Sequence, residues 1–506
     1  MRANRLGSAQ IYWSVTQEGL LRRLISTLAI GLLSAKLYAT PWIGTLDPQL
    51  HQDLITLSEF NLVDAAVNTY PVPWKGIADQ ILQINEQSLP QTARNAVVRL
   101  RHYLRQQESS NSRRFVELYG ASDSHRFSSF DGEQAPSARF SQFTEYTDGA
   151  WSAQLGLNYD SGGKTHFDQS YLAYQFAGWT FSINTLDQWW GPGHSSSLML
   201  SNNARPVPNI GISRSTAVAS ESQWLSWLGP WYFSAQMGQL EGNRAVPRAR
   251  LWRTRFTFKP IDGLELGASW SAMWGGEGQP NDFSDFVDII TFRKECVSDV
   301  VTCDPELVTT KGNHIAGFDA KYTFQLFNTP TSIYAQRIGE DAKDGINVTD
   351  NANLFGLSTY VYGARVYIEN SDTNIACIGD GNTITNCYYE HSIYTDGYRR
   401  YDRAIGSTFD SDAKQTTVGM NLHLDNADSI ALQVSYIELN PDQTRPSPVL
   451  TNSVSEDVWY GTGFYQTTWR DFQIKLGATV SLRELQPEVK ETDVTAYMNV
   501  RYALFN

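Results

Sequence analysis

Two stretches of the 506-residue chain combine residue types that could do chemistry. The first, DQWWGPGHSSSLMLSNNARPVPNIGISR, runs from Asp187 to Arg214. His194 and Ser196 lie two apart, so an extended backbone puts both on one side. A histidine beside a serine can take the hydroxyl proton and make a nucleophile, as in a lipolytic active site. No third orienting partner is evident, and a plain polar turn would use the same Gly-His-Ser-Ser-Ser spelling. The same stretch offers a second chemistry. Trp189 and Trp190 supply flat aromatic faces, while Asn202, Asn203 and Arg205 supply planar hydrogen-bonding groups. Sugar rings present an apolar face edged by hydroxyls, and such a set suits them. The alternative is structural: tryptophans at a strand end form an interfacial girdle, and Gly191-Pro192-Gly193 only turns the chain.

The second stretch is YYEHSIYTDGYRRYDRAIGSTFDSDA, 388–413. Tyr398, Arg399, Arg400 and Arg403 stand here among further tyrosines and acids. Arginine beside aromatic rings suits acidic sugars, and it equally suits a self-contained network of ion pairs and cation–π contacts. Asp410 and Asp412 fit no calcium-loop pattern. The eight histidines are scattered without ligand spacing, so neither a metal nor a cofactor is expected. The four cysteines fall in two short pairs, Cys296-Cys303 and Cys377-Cys387. In an exported chain, local pairing into two disulfides is expected.

Export is read from the first 39 residues. Arg22-Arg23 precede LISTLAIGLLSA, an apolar run of signal-peptide length, with a cut expected after Ala39. The chain carries −13 overall; the balance of the first 39 residues is +4, leaving −17 on the remainder. So acidic a chain without a basic cluster is no nucleic-acid binder.

These stretches need elements to position them. Residues 40–112 show helical spacing: Asp47-Pro48 starts a helix with Leu50, Leu54 and Leu57 on one stripe, and Ala93, Val97, Leu100 and Leu104 mark a last one. From Phe115 the period becomes 2 and stays so to the end. In 472–482, for example, Phe472, Ile474, Leu476, Ala478, Val480 and Leu482 alternate with polar or small residues. Segments of about ten residues match tilted bilayer-spanning strands. A soluble sandwich has the same period, so loop lengths decide. Short connections near 149, 178, 229, 261, 327, 360, 426 and 469 alternate with long ones: 123–138, 160–166, 187–219, 240–247, 275–313, 339–353, 369–414, 440–456 and 483–491. That alternation predicts 18 strands of an all-β outer-membrane barrel, 113–506, with short periplasmic turns and long external loops. It makes 40–112 a periplasmic α-helical bundle and 187–219 the third external loop. External loops and the bundle are the available lumen filler.

Three stretches resemble the capsule-assembly outer-membrane family called Wzi: QWWGPG…LSNNARPVP (188–208), YPVPW (70–74) and the 391–413 region with GYRRYDR (397–403). The resemblance implies an 18-stranded barrel with a helical bundle and a lumen plugged by external loops. It implies a lectin-like, non-enzymatic role in tethering capsular or exopolysaccharide at the surface of a Gram-negative cell. Implied partners are that polysaccharide, outer-membrane lipid and export machinery reached through the helices. On this reading Trp189, Trp190, Asn202, Asn203, Arg205, Tyr398, Arg399, Arg400 and Arg403 meet glycan. A diffusion porin or substrate-specific channel is the alternative.

Overall fold

The computed structural model describes residues 40–504 except 134–135, 292–311, 344–346, 380–381, 425–427, 445–446, 451–453 and 487–488. The expected leader peptide and the Cys296-Cys303 pair lie outside the described residues. The fold is a closed antiparallel barrel of 18 strands. In chain order they are β1 (Ser112–Ala121), β2 (Ala138–Asp148), β3 (Trp151–Asp160), β4 (Tyr171–Phe176), β5 (Trp179–Asn184), β6 (Asn209–Arg214), β7 (Trp231–Gln239), β8 (Arg250–Ile261) and β9 (Leu264–Trp274). The second half comprises β10 (Asn313–Leu326), β11 (Thr329–Lys343), β12 (Asn347–Val361), β13 (Ala364–Asp372), β14 (Ala413–His423), β15 (Ser429–Leu439), β16 (Glu456–Trp469), β17 (Phe472–Leu485) and β18 (Val489–Ala503). β1 closes the ring on β18, with Phe115 opposite Ala503.

The two faces of the wall separate a membrane barrel from a soluble sandwich. Leu118, Ile183, Phe318, Phe355, Val418, Leu476 and Val494 point outward and are exposed. Their neighbours Glu117, Arg253, Arg255, Asp319, Lys321 and Thr417 point inward and are buried. A soluble protein would invert this; lipid outside and polar filler inside require it. No helix among the described residues is long and apolar enough to cross a membrane.

Loop lengths differ from expectation in three places. Strand β6 is Asn209–Arg214, so the third loop ends at 208. The next connection, 215–230, is long and holds a 3-10 helix at Gln223–Leu228. Six residues with only Ile210 and Ile212 outward gave too short an alternation to find. The expected loops 339–353 and 483–491 are instead strand: β11 and β12 pair out to Lys343 opposite Asn347, and β17 and β18 pair out to Leu485 opposite Val489. Polar residues there resemble loop in the sequence, yet the ladder satisfies their backbones.

Three helices precede the barrel: α1 (Pro48–Glu59), α2 (Ile77–Gln83) and α3 (Gln91–Ser109). Asp47 caps α1, accepting the Gln49 N–H at 3.1 Å. α1 packs on α3 through the expected leucines and through Arg99, whose Nε donates to Asp53 at 2.8 Å. The polar side of α1 is inserted into the lumen. Glu59 meets Lys321 of β10 at 2.6 Å, and Arg365 of β13 donates to Gln52 at 2.6 Å and to the Thr56 hydroxyl at 2.8 Å. Further along, Glu265 accepts the N–H groups of Val67 and Asn68 at 3.1 and 2.8 Å. The N-terminal segment therefore fills the barrel from the helix end, and buried polar groups of the plug are matched by polar groups of the wall.

Candidate functional site

The third loop, 185–208, turns inward and meets the plug. Trp189 and Trp190 form a two-stranded ribbon with Tyr70 and Thr69. Gly191, at φ 145°, lets the chain double back where a side chain would strike Gln336; a Cβ on Gly193 would sit 2.2 Å from the Ser196 carbonyl. Trp189 Nε1 donates to Gly193 O at 2.9 Å, and the ring packs edge-on against Phe130. Trp190 joins Leu198, Met199 and Leu200 in the main apolar cluster. Both tryptophans are about 1% exposed, so each anchors the loop and neither offers a free face to a sugar. The rings expected as stacking platforms are thus covered in this structure. An apolar ring on a loop folded into a filled lumen is covered by it.

The seventh loop, 373–412, lies over the third. Cys377 and Cys387 are joined in a disulfide spanning the small ribbon Ala376–Gly379/Asn382–Thr385. Tyr388 donates to Leu198 O at 3.0 Å, Thr408 Oγ1 to Ser195 O at 3.0 Å, and Ser201 N to Ile405 O at 2.8 Å. Asn203 donates to Ala404 O at 3.2 Å and accepts from Arg403 Nη2 at 2.8 Å; Asn202 donates to Phe130 O at 2.9 Å. These asparagines tie loops together. Tyr398, buried, donates to Ser271 Oγ at 3.2 Å. Arg399 is also buried, paired with Asp410 and with Glu390 at 2.7 Å each. Burial opposes its charge, but these two carboxylates outweigh burial and raise its pKa. Arg403 has no such carboxylate contact among the described residues, and burial pushes it down to about 10. Tyr398 and Arg399 thus shape the underside of the loop, and the half-buried Arg403 ties it to the third.

Two of the nine expected residues, Arg205 and Arg400, lie against one exposed ring that was not among them, Tyr401. Arg205 is held by Asp168, Nε to Oδ2 at 2.6 Å, and its guanidinium lies 5.3 Å from the Tyr401 ring centre. Arg400, anchored on Pro206 O, lies 5.1 Å from the same ring. Burial would raise the Asp168 carboxyl, but His166 and Arg205 draw it down to about 2. Tyr401 is 46% exposed at the tip of the hairpin Arg399–Arg400/Arg403–Ala404. The result is an exposed ring with a half-buried guanidinium, Arg205, and a buried one, Arg400, packed against it. The signal was present in the sequence as Arg-Arg-Tyr-Asp-Arg, but spacing alone does not say which tyrosine of five is outward.

His194 and Ser196 do not form a relay. The Ser196 hydroxyl accepts the Thr408 N–H at 3.1 Å, and the His194 backbone N–H is held by Glu369. The imidazole lies 4.9 Å from the Tyr367 ring, and burial pushes its pKa well below the ordinary range. No hydrogen bond joins the two side chains among the described residues.

The family model for capsule assembly protein Wzi matches residues 107–496. A curated Klebsiella pneumoniae protein, an uncharacterized 55.8 kDa protein in the cps region, is 29% identical over 340 residues. The match covers 65% of this chain and 64% of that protein, under two thirds of its length. The solved structure of Wzi from Escherichia coli superposes with a TM-score of 0.77 at 24% identity, covering 91% of this chain and 99% of that one. That protein is described as an outer-membrane protein involved in group 1 capsule assembly and as a carbohydrate-binding β-barrel. This chain, a β-barrel of the outer membrane, belongs to the Wzi family of capsule assembly proteins.

Proposed function

We propose that this protein is a non-enzymatic, lectin-like barrel that binds capsular or exopolysaccharide and holds it at the cell surface. The observation that carries the reading is the loop end of the barrel. It is a hydrogen-bonded lid, third loop on plug and seventh loop on third, with Tyr401 exposed at its summit, Arg205 half-buried beside the ring and Arg400 buried against it. An exposed ring flanked by guanidiniums suits a sugar face and its acidic substituents. Trp189, Trp190, Asn202, Asn203, Tyr398, Arg399 and Arg403 support that summit from below. A channel would need a continuous lumen, which α1 and the third loop occupy. The outward apolar belt meets lipid, and the helices at the opposite end are the surface we assign to export machinery.

A strain lacking the protein tests this directly. Loss of cell-attached polysaccharide, with release into the medium, is expected; full retention refutes the reading. In the complemented strain, Tyr401→Ala should lower retention while barrel folding, read by heat-modifiable gel migration, stays intact.

A further inference from the structure

The connection from β6 to β7, 215–230, leaves the wall at the end where the helices sit. Ala217 O accepts the Ala66 N–H at 2.9 Å, and the Thr216 hydroxyl donates to Lys75 O at 2.7 Å. The neighbouring connections at that end are tight turns, 177–178 and 262–263. This one instead holds the 3-10 helix Gln223–Leu228, of sequence QWLSWL. A 3-10 helix repeats every three residues, so positions three apart share an edge. The sequence fills its three edges differently. Gln223 and Ser226 make a polar edge, with the Ser226 hydroxyl donating to Gln223 O at 2.9 Å. Leu225 and Leu228 make a second, and Leu228 is buried. Trp224 and Trp227 make the third, and they are 89% and 66% exposed. Large apolar side chains this open, side by side, mark an interaction surface.

The position of that edge says what meets it. Gly229, at φ 62°, brings the chain close to β8, where a Cβ would lie 2.0 Å from Lys259 O; the Lys259 N–H donates to Pro230 O at 2.8 Å. The Trp227 ring stands edge-on to that of Phe258, centres 6.5 Å apart. Phe258 alternates with the inward, buried Thr257 and Lys259, so it belongs to the outward face of the wall. It stacks on Phe256 at 5.5 Å, and Phe256 lies 6.0 Å from Trp231. The tryptophan edge therefore continues the lipid-facing wall at its helix end. Glu221 is the one charged side chain in 215–230, so the surface has little to offer an ionic partner. Two indoles present at most about 500 Å², whereas a stable contact with a second protein takes roughly 800 Å² on each side. An indole, apolar except for one N–H, suits the headgroup level of a bilayer.

We propose that the helix Gln223–Leu228 is a membrane anchor lying in the interface of the periplasmic leaflet, with Trp224 and Trp227 among phospholipid headgroups. It stands on the outer-membrane placement of the barrel and not on the polysaccharide reading. The same connection is hydrogen-bonded to Ala66 and Lys75, so lipid grips it on one side and the N-terminal segment on the other.

The test uses the full mature barrel carrying fluorotryptophan, in bilayer nanodiscs of phosphatidylethanolamine and phosphatidylglycerol. The fluorine resonances of the two indoles are assigned by their disappearance in Trp224→Phe and Trp227→Phe, with folding checked by heat-modifiable gel migration. The rings share one edge, so either assignment suffices and the outcome does not depend on both variants folding. Two paramagnetic probes are compared on the parent: a phosphatidylcholine spin-labelled near its headgroup, and a gadolinium chelate confined to water. The assigned resonances are expected to be lost with the spin-labelled lipid and to survive the chelate. Resonances lost with the chelate and untouched by the lipid overturn the proposal. So does insensitivity to lipid together with a shift that grows with protein concentration, which would assign the edge to a second copy of the chain. Polysaccharide retention enters none of these outcomes, so the two readings fail separately.

Discussion

Glu59 is the residue on which closure of the lumen turns. Its carboxylate, at the C-terminal end of α1, accepts from Lys321 Nζ at 2.6 Å, from the Tyr360 hydroxyl at 2.6 Å and from Arg365 Nε at 3.3 Å. Burial alone would raise its pKa, but Arg365 and Lys321 outweigh burial and hold it below the usual carboxylate range. The depressed value means that its stabilisation is complete above the unfolded pKa near 4.5 and is lost only in strong acid. Glu59→Ala removes the charge that both wall cations share. Arg365 keeps Gln52 and Thr56, but Lys321, 4% exposed, loses its carboxylate. Breaking a buried pair by removing one partner costs about 3–5 kcal/mol. The cost falls on docking of the plug, since the strand ladder does not involve Glu59. The variant should therefore pass steady current in a planar bilayer where the parent does not, and α1 should become sensitive to protease. Adding Lys321→Ala should restore part of the loss, because the unpaired cation goes with it. A closed, protease-resistant Glu59→Ala barrel, or a double variant no better than the single, refutes the reasoning.

Three further outcomes are expected. Trp189→Ala should cost about 3–5 kcal/mol by emptying a buried site between the third loop and the plug, while Trp189→Phe keeps most of the stability; thermal unfolding decides. His51 is driven down to about 4 by burial, so folded protein holds it neutral while unfolded protein protonates it near 6.5. Stability should then fall by up to about 3 kcal/mol as pH drops from about 6.5 to about 4, and His51→Gln should flatten that dependence in pH-resolved melts. Cys377→Ser should loosen the seventh loop by about 3 kcal/mol, the chain-entropy value for a loop this short. Faster protease cleavage within 373–412 with an unchanged barrel melting temperature is the expected reading, and dithiothreitol on the parent should reproduce it.

The barrel was legible because strand period and face polarity are local properties. Phe472 to Leu482 alternate whatever surrounds them, and the wall uses that alternation directly. The helix start at Asp47-Pro48 is equally local, as is pairing of Cys377 with Cys387 ten residues on. Strand β6 escaped because six residues with two outward isoleucines carry too little alternation to stand out. Loop boundaries near 343 and 485 escaped because only the neighbouring strand shows where a ladder stops.

The site residues divide on the same ground. The sequence alone identified the two loops that meet at the outer end, since their aromatic and arginine content is a matter of composition. It did not distinguish Trp189 from Tyr401, both aromatic and both beside arginine or glycine turns. That distinction belongs to the tertiary structure. The third loop folds inward onto Thr69–Tyr70, which puts Trp189 under cover, and the seventh loop folds back over the third, which leaves Tyr401 at the summit. Exposure is set by what packs above a side chain, and those contacts come from loops far away in the sequence, Phe130 and Thr69–Tyr70 for Trp189. The amino-acid sequence by itself determined a wall with an apolar outside and a polar inside; only folding decided which polar groups close the lumen and which face out.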